Sequence, residues 1–219
     1  MTEITNYIAN DYKALKSSEN LLDVQCFFEE SNFSHFPVLE QEVFIGNMSA
    51  NEVENFDSEK QILDYKFALE GFFVRESMIL LDVLEVFAKN NTTIVPVLDA
   101  ENNYKGYYEI DSMIKNFYET PFLREQGGII VLRKGTLDYS MSQITQIVES
   151  NNGKLLGIFV SDANAYKIEI TLKINLGEMN EILQSFRRYD YEIISDHQED
   201  DYLDILKERS EYLDKYLSI

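Results

Sequence analysis

Few side chains in this sequence have the type and spacing that ligand chemistry requires. Ser49 and Glu52 follow Gly46 at intervals of three and six residues, where a helix is predicted to begin. A helix start offers backbone donors to an anion, and a carboxylate offers two acceptor oxygens to a diol. A purely structural interpretation is also open, in which Ser49 caps the helix and Glu52 complements its dipole.

A second glycine, Gly106, begins a similar stretch with different chemistry. Glu109 and Ser112 follow it at the same intervals, and Asp111 stands one residue before Ser112. An acid in the first position repels a phosphate, because like charges disfavour one another. A ligand is therefore expected first at Ser49 and Glu52, and Asp111 is a secondary candidate.

The sequence offers no pattern for catalysis or for metal binding. Its two histidines and one cysteine lie far apart, unlike the ligands of a zinc site. It has no glycine-rich phosphate loop and no recognisable nucleophile with a base. Cys26 lies in an apolar helical stretch, which predicts a buried side chain, and His197 stands in an acidic run at a predicted helix start. We expect no enzyme activity and no required cofactor.

Charge and composition narrow the class of protein further. The 219 residues carry a net charge of −20, and 45% are hydrophobic, which suits two packed domains. Such an acidic surface repels phosphate backbones and anionic lipid, so neither nucleic acid nor a membrane is an expected partner. The first residues do not form a signal peptide, and a single cysteine suits a reducing compartment, so a cytoplasmic location is expected.

Two proline-containing stretches reveal an internal repeat. Residues 36–39 read Phe-Pro-Val-Leu and residues 95–98 read Val-Pro-Val-Leu, 59 positions later. Each follows a predicted amphipathic helix, for which Ser18 and Ser77 are the expected caps, and each precedes a glycine hairpin. The same shift superimposes further pairs: Leu22 and Leu81, Asp23 and Asp82, Val24 and Val83, Phe28 and Phe87, and Asn32 and Asn91. The pattern predicts one βαββα unit used twice.

This unit, with its Pro-Val-Leu strand and its glycine hairpin, resembles the cystathionine-β-synthase (CBS) domain. Two copies in tandem resemble a CBS pair over residues 1–120. On this basis repeat one covers about residues 1–56, a bridging helix about 56–69, and repeat two about 70–120. The resemblance implies two units related by a pseudo-twofold axis, with two clefts that in the family often hold AMP, ATP or S-adenosylmethionine.

The resemblance also implies roles for the candidate residues. In the family a hydroxyl three residues after the glycine reaches phosphate, and an aspartate six residues after it holds the ribose. Ser49 keeps the hydroxyl and Glu52 keeps a carboxylate on a longer arm, whereas repeat two departs from the pattern. His35, Phe36 and Pro37 would lie on the strand edge that lines the cleft. For His35 the alternative is an ordinary, partly buried histidine.

The pattern changes after Pro121. Residues 124–197 read as βαββαβ, with clean alternation of apolar and polar side chains over residues 166–174. This order is ferredoxin-like and, beside a CBS pair, resembles an ACT domain, as in CBS–ACT proteins of the acetoin-utilisation type. Gly135 is a candidate for an amino-acid site, although the usual Asp-x-x-Gly form is absent. Residues 199–219 are predicted to form an amphipathic helix. The predicted class is mixed, α+β or α/β.

Two kinds of function fit these observations. The first is a non-catalytic regulatory module that senses an adenosyl nucleotide in the first cleft. The second is an adaptor whose clefts hold no ligand and which acts through homodimerisation and binding of a protein partner. Degeneration of the second motif favours the adaptor, and Ser49 with Glu52 favours the sensor.

Overall fold

Two three-stranded sheets with the same strand order follow one another along the chain. The computed structural model describes residues 4–175 and 179–195. The chain divides into two units, Met1–Thr120 and Pro121–Ile219. Within the described residues, none of the helices is both long enough and apolar enough to cross a membrane.

The first repeat begins after a short 3-10 helix, Ile4–Tyr7. Its elements are β1 (Leu15–Lys16), α1 (Leu21–Glu30), β2 (His35–Glu40), β3 (Val43–Ser49) and α2 (Ala50–Val53). The strand order is β1-β2-β3, with β1 parallel to β2 and β2 antiparallel to β3.

The second repeat has the same order and the same register. Its elements are β4 (Val74–Arg75), α3 (Leu80–Asn90), β5 (Ile94–Leu98), β6 (Tyr104–Glu109) and α4 (Ile110–Tyr118). Leu15 pairs with Val38 in the first sheet, and Val74 pairs with Val97 in the second. Both hairpins shift register immediately after this valine. The predicted βαββα repeat is therefore confirmed by strand order and by residue register.

The hairpin glycines permit a close approach by another part of the chain. Gly46 and Gly106 have φ angles of +145° and +138°, which side chains of L-residues rarely adopt. A Cβ on Gly46 would lie 2.8 Å from the Cβ of Leu69, and one on Gly106 would lie 2.4 Å from the carbonyl oxygen of Ala9. The segment before the first repeat, at Ala9, thus pairs with β6 of the second repeat. The segment before the second repeat, at Glu70, pairs with β3 of the first.

The two repeats share a hydrophobic core. Ile94 and Tyr107 of the second repeat are buried in the cluster of the first repeat, beside Leu21, Val24 and Phe36. This sharing follows from the contact between β2 and β5, which belong to different sheets. Neither repeat therefore buries its apolar face alone, which is the usual reason that such units occur in pairs.

Three local expectations differ from the structure. Residues 56–69 contain only a 3-10 helix, Ile62–Ala68, and its Tyr65 leaves helical geometry while its ring stacks on Phe56 at 4.0 Å. The cap of α1 is Asn20, whose side chain accepts a hydrogen bond from Leu22 N, rather than Ser18. Ile79 rather than Ser77 precedes α3.

The prediction that Cys26 is buried is wrong. Cys26 is exposed on α1, because the core-facing side of that helix is formed by Leu21, Val24 and Phe28. The sequence of a short apolar helix does not predict how the helix is rotated against the sheet. It therefore does not predict whether a small residue such as Cys26 faces the core or the solvent.

The second unit has the predicted ferredoxin-like order. A short helix α5 (Pro121–Arg124) precedes β7 (Gly128–Gly135), α6 (Met141–Ser150), β8 (Leu155–Ala163), β9 (Lys167–Ile174), α7 (Met179–Arg188) and β10 (Glu192–Ile193). The sheet order is β10-β7-β9-β8, and all neighbours are antiparallel. The predicted helix at residues 199–219 and His197 lie outside the described residues.

The core of the second unit follows the alternation read from the sequence. Ile168, Ile170 and Leu172 are buried against Ile144 of α6 and Phe186 of α7. The sheet is more open along its β8 edge. Although residues 155–160 form a nearly continuous apolar run, Phe159 and Val160 are exposed because β8 is an edge strand.

Candidate ligand site

The first hairpin brings His35 and Ser49 together, although they lie far apart in sequence. The two are cross-strand partners, and Pro37 is likewise opposite Asn47. Side chains two apart on a strand share a face, so His35, Pro37, Asn47 and Ser49 belong to one face of the hairpin. Phe36 belongs to the opposite face and is completely buried in the core. The sequence-based placement of Phe36 at a cleft therefore differs from where the structure puts it.

Ser49 is buried and stands immediately before α2. Its side chain makes no cap hydrogen bond, so capping does not account for the hydroxyl. Helix α2 has only four residues, which leaves little macrodipole to attract an anion. Any recognition of an anion at this position depends on the hydroxyl itself. Glu52 lies in α2 with an exposed side chain.

Both ring nitrogens of His35 have partners. Nδ1 lies 2.9 Å from Ser34 Oγ, and Nε2 lies 3.2 Å from Glu70 Oε1. The ring also meets Phe72 edge-on at 5.4 Å. His35 is 8% exposed, whereas the side chain of Glu70 is 43% exposed. A ligand that bonds to Nε2 would have to displace the Glu70 carboxylate. Because that side chain is already partly exposed, moving it into solvent costs little free energy.

Asn47 ties the segment before β4 to this face. Its Nδ2 donates to the carbonyl oxygens of Glu70 and Phe72 at 3.1 and 2.8 Å. The two donations fix the amide orientation, and Oδ1 is then buried without a hydrogen-bond partner within the described residues. Sequence reasoning missed Asn47. The available signal was a polar residue directly after Gly46 in an otherwise apolar strand.

The corresponding position in the second repeat is Tyr107. Its hydroxyl donates to Asp11 Oδ1 at 2.6 Å, and its ring lies 5.4 Å from that of Phe36. Burial and the bond to Asp11 raise the pKa of Tyr107, and the same bond lowers the pKa of Asp11. The buried ring thus packs into the hydrophobic cluster of the first repeat.

The remaining candidate, Asp111, belongs to the second repeat. It is exposed in the first turn of α4, after Glu109 at the cap position. His35, Pro37, Ser49 and Glu52 are all on the first hairpin or the helix that follows it. The structure therefore groups the candidates of repeat one and leaves Asp111 with the second hairpin.

Other cavities contain none of these candidates. One of about 750 Å³ lies beside β1 and the β2–β3 turn. Another, of about 480 Å³ in the second unit, is lined by Arg133, Gly135 and Asp138 among others. Arg133 is already bonded to Glu169 and Glu192, so it is not available as a free cation for a carboxylate. No group of three potential metal ligands occurs in the described residues.

Comparisons with known proteins give a fold likeness only. No family model matches the chain, and no curated protein does. A CBS domain pair/ACT domain protein of Thermotoga maritima is 18% identical over 54% of this chain and 98% of that one, with a TM-score of 0.49. The CBS domains of a Streptococcus pneumoniae transcriptional regulator are 16% identical over 52% and 98%, with a TM-score of 0.46. CBSX2 in complex with AMP is 15% identical over 53% and 96%, with a TM-score of 0.45.

The class of the first unit follows from its own strand order and register. Two βαββα units in tandem, with matched bulges and matched hairpin glycines, define a CBS-type pair. The second unit is ferredoxin-like. The chain thus resembles a CBS pair followed by a ferredoxin-like domain.

Proposed function

We propose that this protein is a non-catalytic regulatory module that binds an adenosyl nucleotide of the AMP, ATP or S-adenosylmethionine class. The site is the first-hairpin face formed by His35, Asn47 and Ser49, together with Glu52 on α2. The observation that carries the proposal is the concentration of uncommitted polar atoms there. Ser49 makes no cap bond, and Asn47 Oδ1 is buried without a partner within the described residues.

Each group has a distinct role in this proposal. The Ser49 hydroxyl donates to a phosphate or carboxylate oxygen, and the exposed Glu52 carboxylate accepts from a ribose diol. Asn47 Oδ1 accepts from an amino group of the ligand, which would remove the cost of leaving a buried acceptor unpaired. Glu70, which lies 3.2 Å from His35 Nε2, competes with the ligand for that nitrogen. A ligand that displaces Glu70 would thereby change the segment before β4, which provides a route for regulation.

Calorimetry and thermal unfolding with AMP, ADP, ATP, S-adenosylmethionine and cyclic dinucleotides test this proposal. A ligand at 100 times its Kd stabilises the native state by about 2.7 kcal/mol, so a clear rise in Tm is expected for at least one compound. Ser49→Ala and Glu52→Gln should each weaken that response. Ser112→Ala changes the residue of repeat two that corresponds to Glu52, and it should leave the rise in Tm unchanged. Absence of any response in the unmodified protein would refute the nucleotide function.

A second candidate function, an adaptor that works through dimerisation, has its own support. Leu22 and Leu81 occupy equivalent positions on α1 and α3, and both are exposed, at 55% and 63%. A pair of exposed leucines related by the repeat favours a symmetric partner such as a second copy of the chain. Light scattering should then show a dimer that the double variant Leu22→Glu, Leu81→Glu converts to a monomer. A monomeric unmodified chain would contradict this candidate.

A further inference from the structure

The cavity beside β1 lies at the opposite end of the first hairpin from Ser49. It has a volume of about 750 Å³, within the range typical of ligand sites. Lys13, Ala14, Lys16 and Tyr104 line it, together with the turn that joins β2 to β3. It draws residues from both repeats, because Tyr104 begins β6.

The repeat provides an internal comparison for this cavity. The matched registers make Ala14 equivalent to Phe73 and Lys16 equivalent to Arg75, since Leu15 and Val74 occupy the same position in their sheets. Leu39 pairs with Phe44 and Leu98 pairs with Tyr104, so Phe44 and Tyr104 are also equivalent. Each lining residue therefore has a counterpart at the pseudo-symmetric position.

The counterpart position is filled by side chains. The rings of Phe44 and Phe73 meet edge-on at 6.0 Å, and the Arg75 guanidinium lies 5.0 Å from the Phe73 ring centre. Arg75 Nη2 donates to Asn102 Oδ1 at 2.6 Å, and Nη1 donates to the carbonyl oxygen of Asp99. An aromatic ring and a bonded cation thus close the second copy against its hairpin turn.

The first copy lacks both closing elements. Ala14 replaces the ring of Phe73, and Lys16 replaces the forked guanidinium that holds the turn. Lys13 and Lys16 are exposed and belong to no ion pair within the described residues. The Tyr104 hydroxyl is buried and has no hydrogen-bond partner in that same part of the chain.

The side chains that face the cavity include more unbonded hydrogen-bond donors than unbonded acids. Of the two acids on the turn, Glu40 is bonded to Lys66 at 2.9 Å, and Glu42 is exposed. Within the described residues, the Lys13 and Lys16 ammonium groups and the Tyr104 phenol then have no bonded partner, and Glu42 is the one unbonded acid beside them, on a protein whose net charge is −20. Ammonium groups and hydroxyls are donors that suit phosphate oxygens.

We propose that this cavity binds a small phosphate-bearing molecule, held by the Lys13 and Lys16 ammonium groups and by the Tyr104 hydroxyl. The site is separate from the nucleotide site proposed at Ser49. It arises because one of two pseudo-symmetric positions lacks the filling side chains that the other carries. The ligand therefore binds once per chain, at the first repeat.

Titration calorimetry with inorganic pyrophosphate at low ionic strength tests this site on the full chain. Binding to the unmodified protein is expected, and Lys13→Met with Lys16→Met should raise the Kd by at least about tenfold. Lys105→Ala removes an exposed lysine one residue after Tyr104 that does not line the cavity, and should leave the Kd unchanged. Ser49→Ala should also leave it unchanged, which separates this site from the proposed nucleotide site.

A steric variant tests the geometric argument independently of charge loss. Ala14→Phe with Lys16→Arg copies the second repeat into the first, so it should fill the cavity and abolish pyrophosphate binding while retaining the native circular dichroism spectrum. Absence of pyrophosphate binding in the unmodified protein would overturn the proposal. Equal binding in the unmodified protein and in the double-methionine variant would overturn it as well, even if the steric variant did not fold.

Discussion

Ser34 and Thr93 exchange a reciprocal pair of hydrogen bonds across the two repeats. Ser34 N donates to Thr93 Oγ1 at 2.9 Å, and Thr93 N donates to Ser34 Oγ at 2.8 Å. Their separation of 59 residues is the interval of the internal repeat. The carbonyl of each accepts from the first residue of the helix that ends its own repeat, Ala50 or Ile110. The pseudo-twofold axis therefore passes between these two side chains.

A double-mutant cycle on Ser34 and Thr93 should reveal strong coupling. Ser34→Ala and Thr93→Ala each leave a backbone N–H without its partner, so each should lower the free energy of unfolding by about 1–2 kcal/mol. Both substitutions also remove one shared contact, between Ser34 Oγ and Thr93 Oγ1 at 3.3 Å. The double variant should therefore lose less than the sum, with a coupling energy of about 0.5–1.5 kcal/mol, measured by urea denaturation. Ser34→Ala combined with Thr145→Ala, in the second unit, should instead be additive. A loss below about 0.5 kcal/mol for either single variant would contradict the reciprocal hydrogen bonds.

Alanine at the two hairpin glycines should destabilise the first unit. Both glycines have a backbone conformation that other residues adopt at a cost of about 1–3 kcal/mol. Gly106→Ala should be the more damaging, because its Cβ would meet the carbonyl oxygen of Ala9 at 2.4 Å, whereas that of Gly46 meets Leu69 Cβ at 2.8 Å. Gly71→Ala is the matched control, since nothing lies within 4 Å of its added Cβ. Thermal unfolding that ranks Gly71→Ala as the most harmful of the three would refute this account.

Tyr108 should govern part of the response to alkaline pH. Burial and the charge of Glu76 raise the pKa of Tyr108 from 10.0 to about 12. A raised pKa means that its stabilising effect is complete below pH 10 and is lost as the pH rises toward 12. Tyr108→Phe should therefore flatten the fall in unfolding free energy over this range, as measured by urea denaturation at several pH values.

Tyr107→Phe is the informative comparison for Tyr108→Phe. The Tyr108 hydroxyl is buried without a partner within the described residues, so its removal should leave stability at neutral pH unchanged or higher. The Tyr107 hydroxyl bonds to Asp11, so its removal should be destabilising at neutral pH. It should also return the pKa of Asp11 toward its ordinary value, which NMR titration of the Asp11 carboxyl would detect. Equal effects of the two substitutions at neutral pH would contradict the assigned bonding.

Asn47 should contribute to stability beyond its size. Asn47→Ala removes both donations to the carbonyl oxygens of Glu70 and Phe72 and should cost about 1–3 kcal/mol in unfolding free energy. Asn51→Ala, at an exposed position of α2, should change it by less than about 0.5 kcal/mol. Chemical denaturation compares the two. If Asn47→Ala were as mild as Asn51→Ala, the connection from β3 to the segment before β4 would not be stabilising.

The periodicity of apolar residues and the positions of proline and glycine were sufficient to predict the architecture. The repeated Pro-Val-Leu strands, the glycines and the alternation over residues 166–174 identified both βαββα units and the ferredoxin-like order. The interval of 59 residues also aligned positions that the structure pairs in matching registers. Such features are local, so short stretches of sequence carry them without reference to the rest of the chain.

The polar contacts of the candidate site were not predictable in the same way. Nothing in the sequence relates Glu70 to His35 or Phe72 to Asn47, because those contacts depend on where the segment before β4 crosses the first hairpin. Similarly, the spacing of Ser49 from Gly46 suggested a helix cap, whereas the short α2 leaves its hydroxyl unused for capping. Whether Cys26 was buried also depended on the exact rotation of α1 against the sheet.

The sequence by itself determined that one unit is used twice. It also determined that the position three residues after the hairpin glycine differs chemically between the copies, with Ser49 in one and Glu109 in the other. Only the tertiary structure decided that the Tyr107 ring packs against Phe36. It also decided that a cavity lies beside Ala14, whereas the equivalent position in the second repeat is filled by the Phe73 ring. The physical reason is that repeat positions are fixed by local pattern, whereas filling of space depends on side-chain volumes from both repeats. Two positions with matching strand registers therefore become a packed contact in one copy and a cavity in the other.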